Sequence, residues 1–257
     1  MPSERDGPLV RRLQAHRRGA AMKWRIIHKS VTASTNADAH HGKPGDVFTA
    51  DFQTAGRGRL DHVWKSCAGK NLMMSAVVDV SGLEPERAAT FPLVVGLSVC
   101  EALESIGRSL HPQLKWPNDV LVGGRKLAGI LCERFGDSVI AGVGVNVGER
   151  EFPSDIADRA TSLSLLLPAG TVPAVDEVRD AVLERLAANL PAWRERGLAA
   201  HLPRLAARDC LAGREIAVLR TDVDDAPARG VCGGIAEDGS LIVAGERIYA
   251  GEAHVCT

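Results

Sequence analysis

The sequence lacks most of the features that would send its function elsewhere. Its six cysteines, Cys67, Cys100, Cys132, Cys210, Cys232 and Cys256, form no C-x-x-C pair and no cluster with histidine. That pattern removes the common structural zinc sites. No secretory signal pattern is visible in the basic first residues, so scattered cysteines fit reduced thiols rather than a disulfide framework. There is no charge excess either: 31 Lys and Arg against 32 Asp and Glu leave a net charge of −1. A chain without a basic field has little to offer nucleic acid in bulk. No unbroken apolar run comes near the roughly 20 residues of a membrane-spanning helix. Repeats and low-complexity tracts are absent, and the His40-His41 doublet reads as solvated surface. The expectation is a cytoplasmic protein that binds no membrane.

The positive features begin with ordinary globular content. Of 257 residues, 45% are hydrophobic and 25% charged, sufficient for one large or two unequal domains with a real core. Residues 1–21 read as a flexible basic leader, too short for a folded DNA-binding module. Met22 directly precedes the strand-like "KWRIIH", which makes it a candidate boundary and a candidate translation start. Thereafter strands and helices alternate. "STNADAHH" opens a short helix; "DVFTADFQ" (46–53) and "NLMMSAVVDV" (71–80) are strands. Glu86 to Gly107 and Val175 to Arg196 have helical apolar spacing. "LKWPND", "DVLVGG", "KLAGILCERF" and "SVIAGVGVNVG" are short strands, with Gly123-Gly124 and Gly136-Asp137 at hairpin turns. After Leu211 come "REIAVLR", "ARGVCGGIA", "GSLIVAG" and "ERIYAG", the texture of a small barrel. The fold class is therefore α+β: a mixed-sheet domain over 22–210 and a small β domain over 211–257.

Three segments carry chemistry. In "QTAGRGRLDHVW", Gly56 and Gly58 free the backbone, while Arg57 and Arg59 add charge-assisted donors for phosphate or carboxylate. A solvated hairpin would read the same way by composition. In "KWPND", Lys115 sits at a strand end beside Trp116, and Pro117 keeps its neighbour extended. A lysine fixed there suits a polyphosphate, although Asn118 and Asp119 are also plain turn formers. In "AGVGVNVG" the glycines fail the dinucleotide fingerprint, because the third falls one place late and no helix follows. What remains is a strand whose glycines leave room for a flat ligand, with Asn146 as a polar reader.

In this order and spacing the segments resemble the biotin protein ligases, within the superfamily that includes lipoate ligases. The resemblance runs from about residue 23 to the C-terminus. It covers "STN" at 34–36, "QTAGRGR" at 53–59, Trp64, "KWPNDVLV" at 115–122, "RKLAGIL" at 125–131, "GVGVN" at 142–146 and "GIAEDGSLIV" with "AGE". It implies a catalytic domain of the biotin/lipoate ligase type followed by an SH3-like barrel, without an N-terminal DNA-binding domain. It also implies biotin and ATP with Mg²⁺ as substrates and cofactor, the metal arriving through ATP rather than on a protein cluster. A biotin carboxyl carrier domain is the implied partner, no sequence-specific DNA is bound, and the chain is a monomer or homodimer.

By the same resemblance Lys115 and Arg59 are the catalytic residues. Ser34, Thr35, Asn36, Gln53, Gly56, Arg57, Gly58, Arg59, Trp64, Lys115, Gly129 and Ile130 line the biotin site. Arg57, Arg59, His62, Trp64, Lys115, Asn118, Lys126 and Asn146 line the ATP site. The family commonly continues its loop as G-R-G-R-R-G-R before a residue and Trp. Here Leu60, Asp61 and His62 replace two arginines and a glycine, removing two cations and adding a carboxylate. Other readings of the scaffold are a lipoate or other acyl ligase, or a biotin-responsive repressor.

Overall fold

The computed structural model describes residues 9–14, 22–60, 63–64, 66–221 and 226–256. Eight strands, β1 (Leu9–Gln14), β2 (Lys23–Thr32), β3 (Asp46–Gln53), β4 (Leu72–Asp79), β5 (Gln113–Lys115), β6 (Asp119–Val122), β7 (Arg125–Phe135) and β8 (Ser138–Val145), build one sheet. Their spatial order is β1-β2-β3-β4-β8-β7-β6-β5. Among the described strands only β2 and β3 run parallel; they are joined by a crossover that holds the short helix α1 (Thr35–Ala39), as a parallel pair requires. The hairpins β6–β7 and β7–β8 turn at Gly123-Gly124 and Gly136, all at positive φ, where glycine removes the Cβ clash.

The strand β1 departs from the expected flexible leader. It pairs antiparallel with β2 from Leu9↔His28 to Gln14↔Lys23. The arginines inside the run disguise it, but an open sheet edge accepts backbone whatever the side chains carry. Residues 1–8 and 15–21 lie outside the described residues.

The helix expected over Glu86 to Gly107 is two, α2 (Pro85–Ala89) and α3 (Phe91–Ile106). They meet at Thr90, and Pro92 falls in the first turn of α3, where its missing N–H breaks no helical bond. By length and composition Pro85–Ile106 could cross a membrane, a property the sequence reading overlooked. Here the run is the central core helix, and two-thirds of its window is buried (67%). The short α4 (Leu163–Leu166) precedes α5 (Val175–Arg196), which has the expected bounds, and α6 (Leu202–Ala206) follows. Phe91 and Trp193 stack at 4.8 Å between α3 and α5, and Trp193 Nε1 donates to Thr90 Oγ1 (2.9 Å).

The C-terminal strands β9 (Glu215–Arg220), β10 (Ala228–Ile235), β11 (Leu241–Val243), β12 (Glu246–Ile248) and β13 (Gly251–Val255) form a second, antiparallel sheet in the order β12-β11-β10-β9-β13. The mixed sheet followed by a small β unit is the expected α+β class. β13 was not expected, because "GEAHV" has little β-branched or aromatic content. Trp116 Nε1 donates to Gly239 O (3.0 Å), a bond from the large unit to the small one.

The two faces of the large sheet differ. On one, Leu72, Met74, Ala128, Ile130, Val143 and their neighbours join α3 and α5 in a continuous core. On the other, Ala39, Phe48, Val77 and Ile140 make a small cluster under α1. Beside that cluster the strands carry glycine.

Candidate functional site

The site starts from three glycines that clear a floor. Gly129 pairs with Gly144 across β7 and β8, and Gly142 pairs with Leu131. None is at a turn or a positive φ; each is needed for close approach. A Cβ on Gly144 would lie 2.6 Å from the Trp64 ring, and one on Gly142 would lie 2.3 Å from Asn36 Oδ1. A Cβ on Gly129 would lie 3.2 Å from both Trp64 and the Lys126 stem.

Trp64 reaches the floor because the arginine loop folds back on itself. Trp64 N donates to Gly56 O (3.0 Å), and Arg57 and Val63 form an antiparallel bridge. A Cβ on Gly56 would stand 2.4 Å from Trp64 O, so only glycine closes this arch. Gly58 lies half-buried between the two arginines. The Trp64 indole N–H is buried and finds no partner among the described residues, an arrangement that fits a ligand acceptor. Leu60 stands at φ 51°, in the left-handed region that L side chains avoid. His62, assigned to the ATP site, lies outside the described residues, as do Asp61 and Lys65.

One end of the floor is lined by a buried polar chain. Thr35 donates to Gln53 Oε1 from its backbone N (2.7 Å) and from Oγ1 (3.1 Å). Ser34 caps α1 by position without a side-chain cap bond, which leaves its hydroxyl uncommitted to the helix. Asn36 donates to Glu133 Oε2 (2.6 Å), and Glu133 Oε1 pairs with Arg57 (3.2 Å). Ser75, fully buried on β4, lies 2.8 Å from Thr35 Oγ1 and 2.6 Å from Asn36 Oδ1. Sequence reasoning missed Ser75 and Glu133. The available signals were a lone hydroxyl in an otherwise apolar strand, and an acid in the same alternation as Gly129.

The other end gathers cations around Asp119. Lys126 Nζ pairs with Asp119 Oδ1 (2.7 Å), and Lys115 lies opposite Asp119 across β5 and β6. The Lys115 ammonium makes no ion pair or side-chain hydrogen bond among the described residues, and its charge acts on the nearby Cys210 thiol. Arg59 approaches Asn118 Oδ1 and Gly251 O, each at 3.4 Å. Burial pulls the Arg59 pKa below its usual value, with Glu252 and Asp119 acting in opposition. The C-terminal unit thus reaches the site through β13, a contribution the sequence reading did not contain.

Three assigned residues serve otherwise than by direct reach. Ile130 belongs to the opposite face and sits in the core, its Cδ1 directed toward Gly96 of α3. Strand alternation makes this unavoidable once Gly129 faces the floor, so the Ile130 side chain is removed from the site. Asn118 donates to Ile130 O (3.0 Å) while its Oδ1 holds Arg59. Asn146 is buried and donates to Thr161 O (3.0 Å), bracing the segment that follows β8. Two cavities lie elsewhere, one beside His28, Asn71 and Arg179, the other beside Lys70, Gly148 and Pro173; the floor itself is covered by Trp64. Among the described residues no group of three His, Cys, Asp or Glu could hold a metal ion.

Comparison with known proteins places this geometry in context. Residues 28–148 match the model of the biotin/lipoate A/B protein ligase family. The biotin–[acetyl-CoA-carboxylase] ligase of Mycobacterium tuberculosis is 36% identical over 186 residues, 68% of this chain and 68% of that protein. The Paracoccus denitrificans ligase of the same name is 32% identical over 228 residues, 83% of this chain and 92% of its own. The chain spans about half the length (47%) of the bifunctional ligase/repressor BirA of Bacillus subtilis, at 34% identity over 155 residues. Among solved structures, the Aquifex aeolicus biotin protein ligase in complex with biotin and ATP superposes with a TM-score of 0.79. It is 32% identical, covering 90% of this chain and 98% of that one.

Proposed function

We propose that this chain, which belongs to the biotin protein ligase family, joins biotin to AMP and then passes the biotinyl group to a lysine of a carrier domain. The observation that carries the reading is the convergence of Arg59, Lys115 and Lys126 on a glycine-cleared floor. Within it, the Lys115 ammonium and the Trp64 N–H have no hydrogen-bond partner among the described residues.

The chemistry asks for such an arrangement. In the first step a carboxylate oxygen of biotin attacks the α-phosphorus of ATP. The bond from that phosphorus to the bridging oxygen breaks, and pyrophosphate leaves. Two anions must meet, so positioned cations and N–H donors are the natural catalysts. Lys115 is the cation with nothing else to hold, and its role is to bring the carboxylate and the α-phosphate together. Arg59, fixed by Asn118 and Gly251 O, is suited to retain the acyl-adenylate. In the second step the carrier amine attacks the acyl carbon, AMP leaves with the bonding pair, and the nitrogen gives up a proton.

Mg²⁺ fits as a companion of the ATP phosphates, since no group of three His, Cys, Asp or Glu among the described residues could hold it alone. When bound it would share the phosphate charge. The arch from Gly56 to Trp64 would keep water from a mixed anhydride that hydrolyses readily. The apolar rings of biotin suit the glycine floor, and Thr35 and Gln53 suit its ureido group.

The test is transfer of labelled biotin to an apo carrier domain with Mg·ATP, with lipoate run in parallel. Label on the carrier lysine is the expected result. Transfer of lipoate without biotin would replace this reading by the acyl-ligase alternative. Lys115→Ala should slow adenylation by about a hundredfold to a thousandfold with the circular dichroism spectrum unchanged.

A further inference from the structure

Glu133 has no role in the reading above, yet its two carboxylate oxygens hold two different parts of the site. Oε2 accepts from Asn36 Nδ2 (2.6 Å), and Oε1 lies 3.2 Å from the Arg57 guanidinium. A carboxylate only accepts hydrogen bonds. The Asn36 amide is therefore fixed with its NH₂ toward Glu133 and Oδ1 toward Ser75. Oδ1 also only accepts, so Ser75 gives it the one hydroxyl proton it has (2.6 Å). Ser75 Oγ then offers only lone pairs to Thr35 (2.8 Å). The Thr35 hydroxyl proton goes to Ser75 Oγ or to Gln53 Oε1 (3.1 Å). In either case Thr35 has spent its proton and can only accept from a ligand. Gln53 Oε1 is taken by the Thr35 backbone N–H (2.7 Å), which leaves the Gln53 amide NH₂ as the outward donor.

The chain has little freedom to reverse. Ser75, Asn36 and Thr35 are buried, and the missing Cβ of Gly142 is what admits Asn36 Oδ1. A pocket with a fixed acceptor beside a fixed donor suits a ligand group that carries N–H and C=O side by side. We infer that Glu133 is a positioning residue: it sets the donor–acceptor polarity of the pocket that reads the ureido ring, and it latches Arg57 of the loop to that pocket. The inference rests on the ligase reading for its ligand, and on the geometry alone for its latch.

The two roles separate by mutation. Biotin-dependent ATP–pyrophosphate exchange gives KM for biotin and for ATP, and trypsin added without ligands reads cleavage after Arg57 and Arg59. Glu133→Ala should raise the biotin KM about tenfold to a hundredfold, with the ATP KM moving less than about threefold. Cleavage of the loop should also accelerate. Glu133→Gln keeps an acceptor for Asn36 and loses the ion pair. It should hold the biotin KM within about threefold, yet be cleaved as fast as the alanine variant. Ser75→Ala cuts the chain without touching Arg57, so it should raise the biotin KM at a wild-type cleavage rate. A merely structural role would move both readouts together. Folded Glu133→Ala and Ser75→Ala proteins with a wild-type biotin KM would overturn the polarity role. An unchanged cleavage rate in Glu133→Gln would overturn the latch. A wild type without biotin-dependent exchange would sink the ligase reading and the polarity role with it, while the tryptic comparison would still decide the latch.

Discussion

The two faces of β7 and β8 are built from alternate residues of the same strands and do opposite jobs. Ala128, Ile130 and Val143 point into the helices and make core. Gly129, Gly142 and Gly144, one residue away in each case, leave a floor on which Trp64 and Asn36 rest. The strand period of two is the whole difference. One face is specified by filling space and the other by refusing to. Mutations on the two faces should therefore fail in opposite ways, and that contrast is the most direct way to break the picture.

The largest effect should come from the filled face. Ile130→Ala should cost about 2–5 kcal/mol of stability, as buried aliphatic truncations do, with the biotin KM of the folded fraction unchanged. Denaturant titration beside exchange kinetics measures both, and an Ile130 variant with normal stability but a raised biotin KM would return that side chain to the site. Next comes the empty face. Gly144→Ala puts a methyl where the Trp64 ring lies, an overpacking of about 1–3 kcal/mol. The ring can yield by leaving the floor, so the expected outcome is a biotin KM raised about tenfold or more with little change in Tm. Loss of stability without loss of affinity at Gly144 would mean that the floor is core after all.

A smaller effect concerns a polar group on the helical side. His201 is fully buried where α6 begins. Its Nδ1 accepts from Arg204, so the proton sits on Nε2. Burial, helped by the Arg204 charge and to a lesser degree by Arg196, depresses its pKa; the Asn189 backbone and Glu101 act in the opposite direction. A depressed folded pKa means that the unfolded chain binds the proton first. Stability from this group is present above the unfolded value of about 6.5 and is lost as pH falls through the folded one. The urea midpoint should decline from about pH 7 to about pH 5, and His201→Gln should flatten that slope.

Legibility in the sequence followed locality. β3 and α5 were readable to their end residues because each has an unbroken pattern of its own period. The break at Thr90 has a local signal in Pro92, which a helix tolerates only in its first turn, while the Trp193 hydrogen bond to Thr90 lies outside any local window. β1 and β13 are strands by virtue of an available edge rather than by composition. The same holds at the site. Residues inside short contiguous motifs, such as Gln53 to Arg59 and Lys115 to Asn118, could be named from the chain. Ser75, Glu133 and Gly251 enter the site through register and interdomain contact, which no local window contains. Ile130 enters the site only by resemblance, and its place next to Gly129 along the strand puts its side chain on the other face.

The smallest expected effect lies in the loop whose second half departs from the family pattern. Leu60 is exposed and at φ 51°, a conformation that costs an L side chain roughly 1–2 kcal/mol. Leu60→Gly removes that strain but adds freedom to the unfolded loop, so the net gain should be under about 1 kcal/mol. Global Tm will barely register it; the rate of tryptic cleavage after Arg57 and Arg59 should, slowing by about threefold. Leu60→Ala separates the causes, because it removes the exposed apolar side chain while keeping the Cβ. Slowing in the glycine variant alone assigns the effect to backbone strain, and equal slowing in both assigns it to the exposed leucine. If neither slows, the arch is not limited at Leu60, and its opening is governed by the Arg57–Glu133 pair at its base.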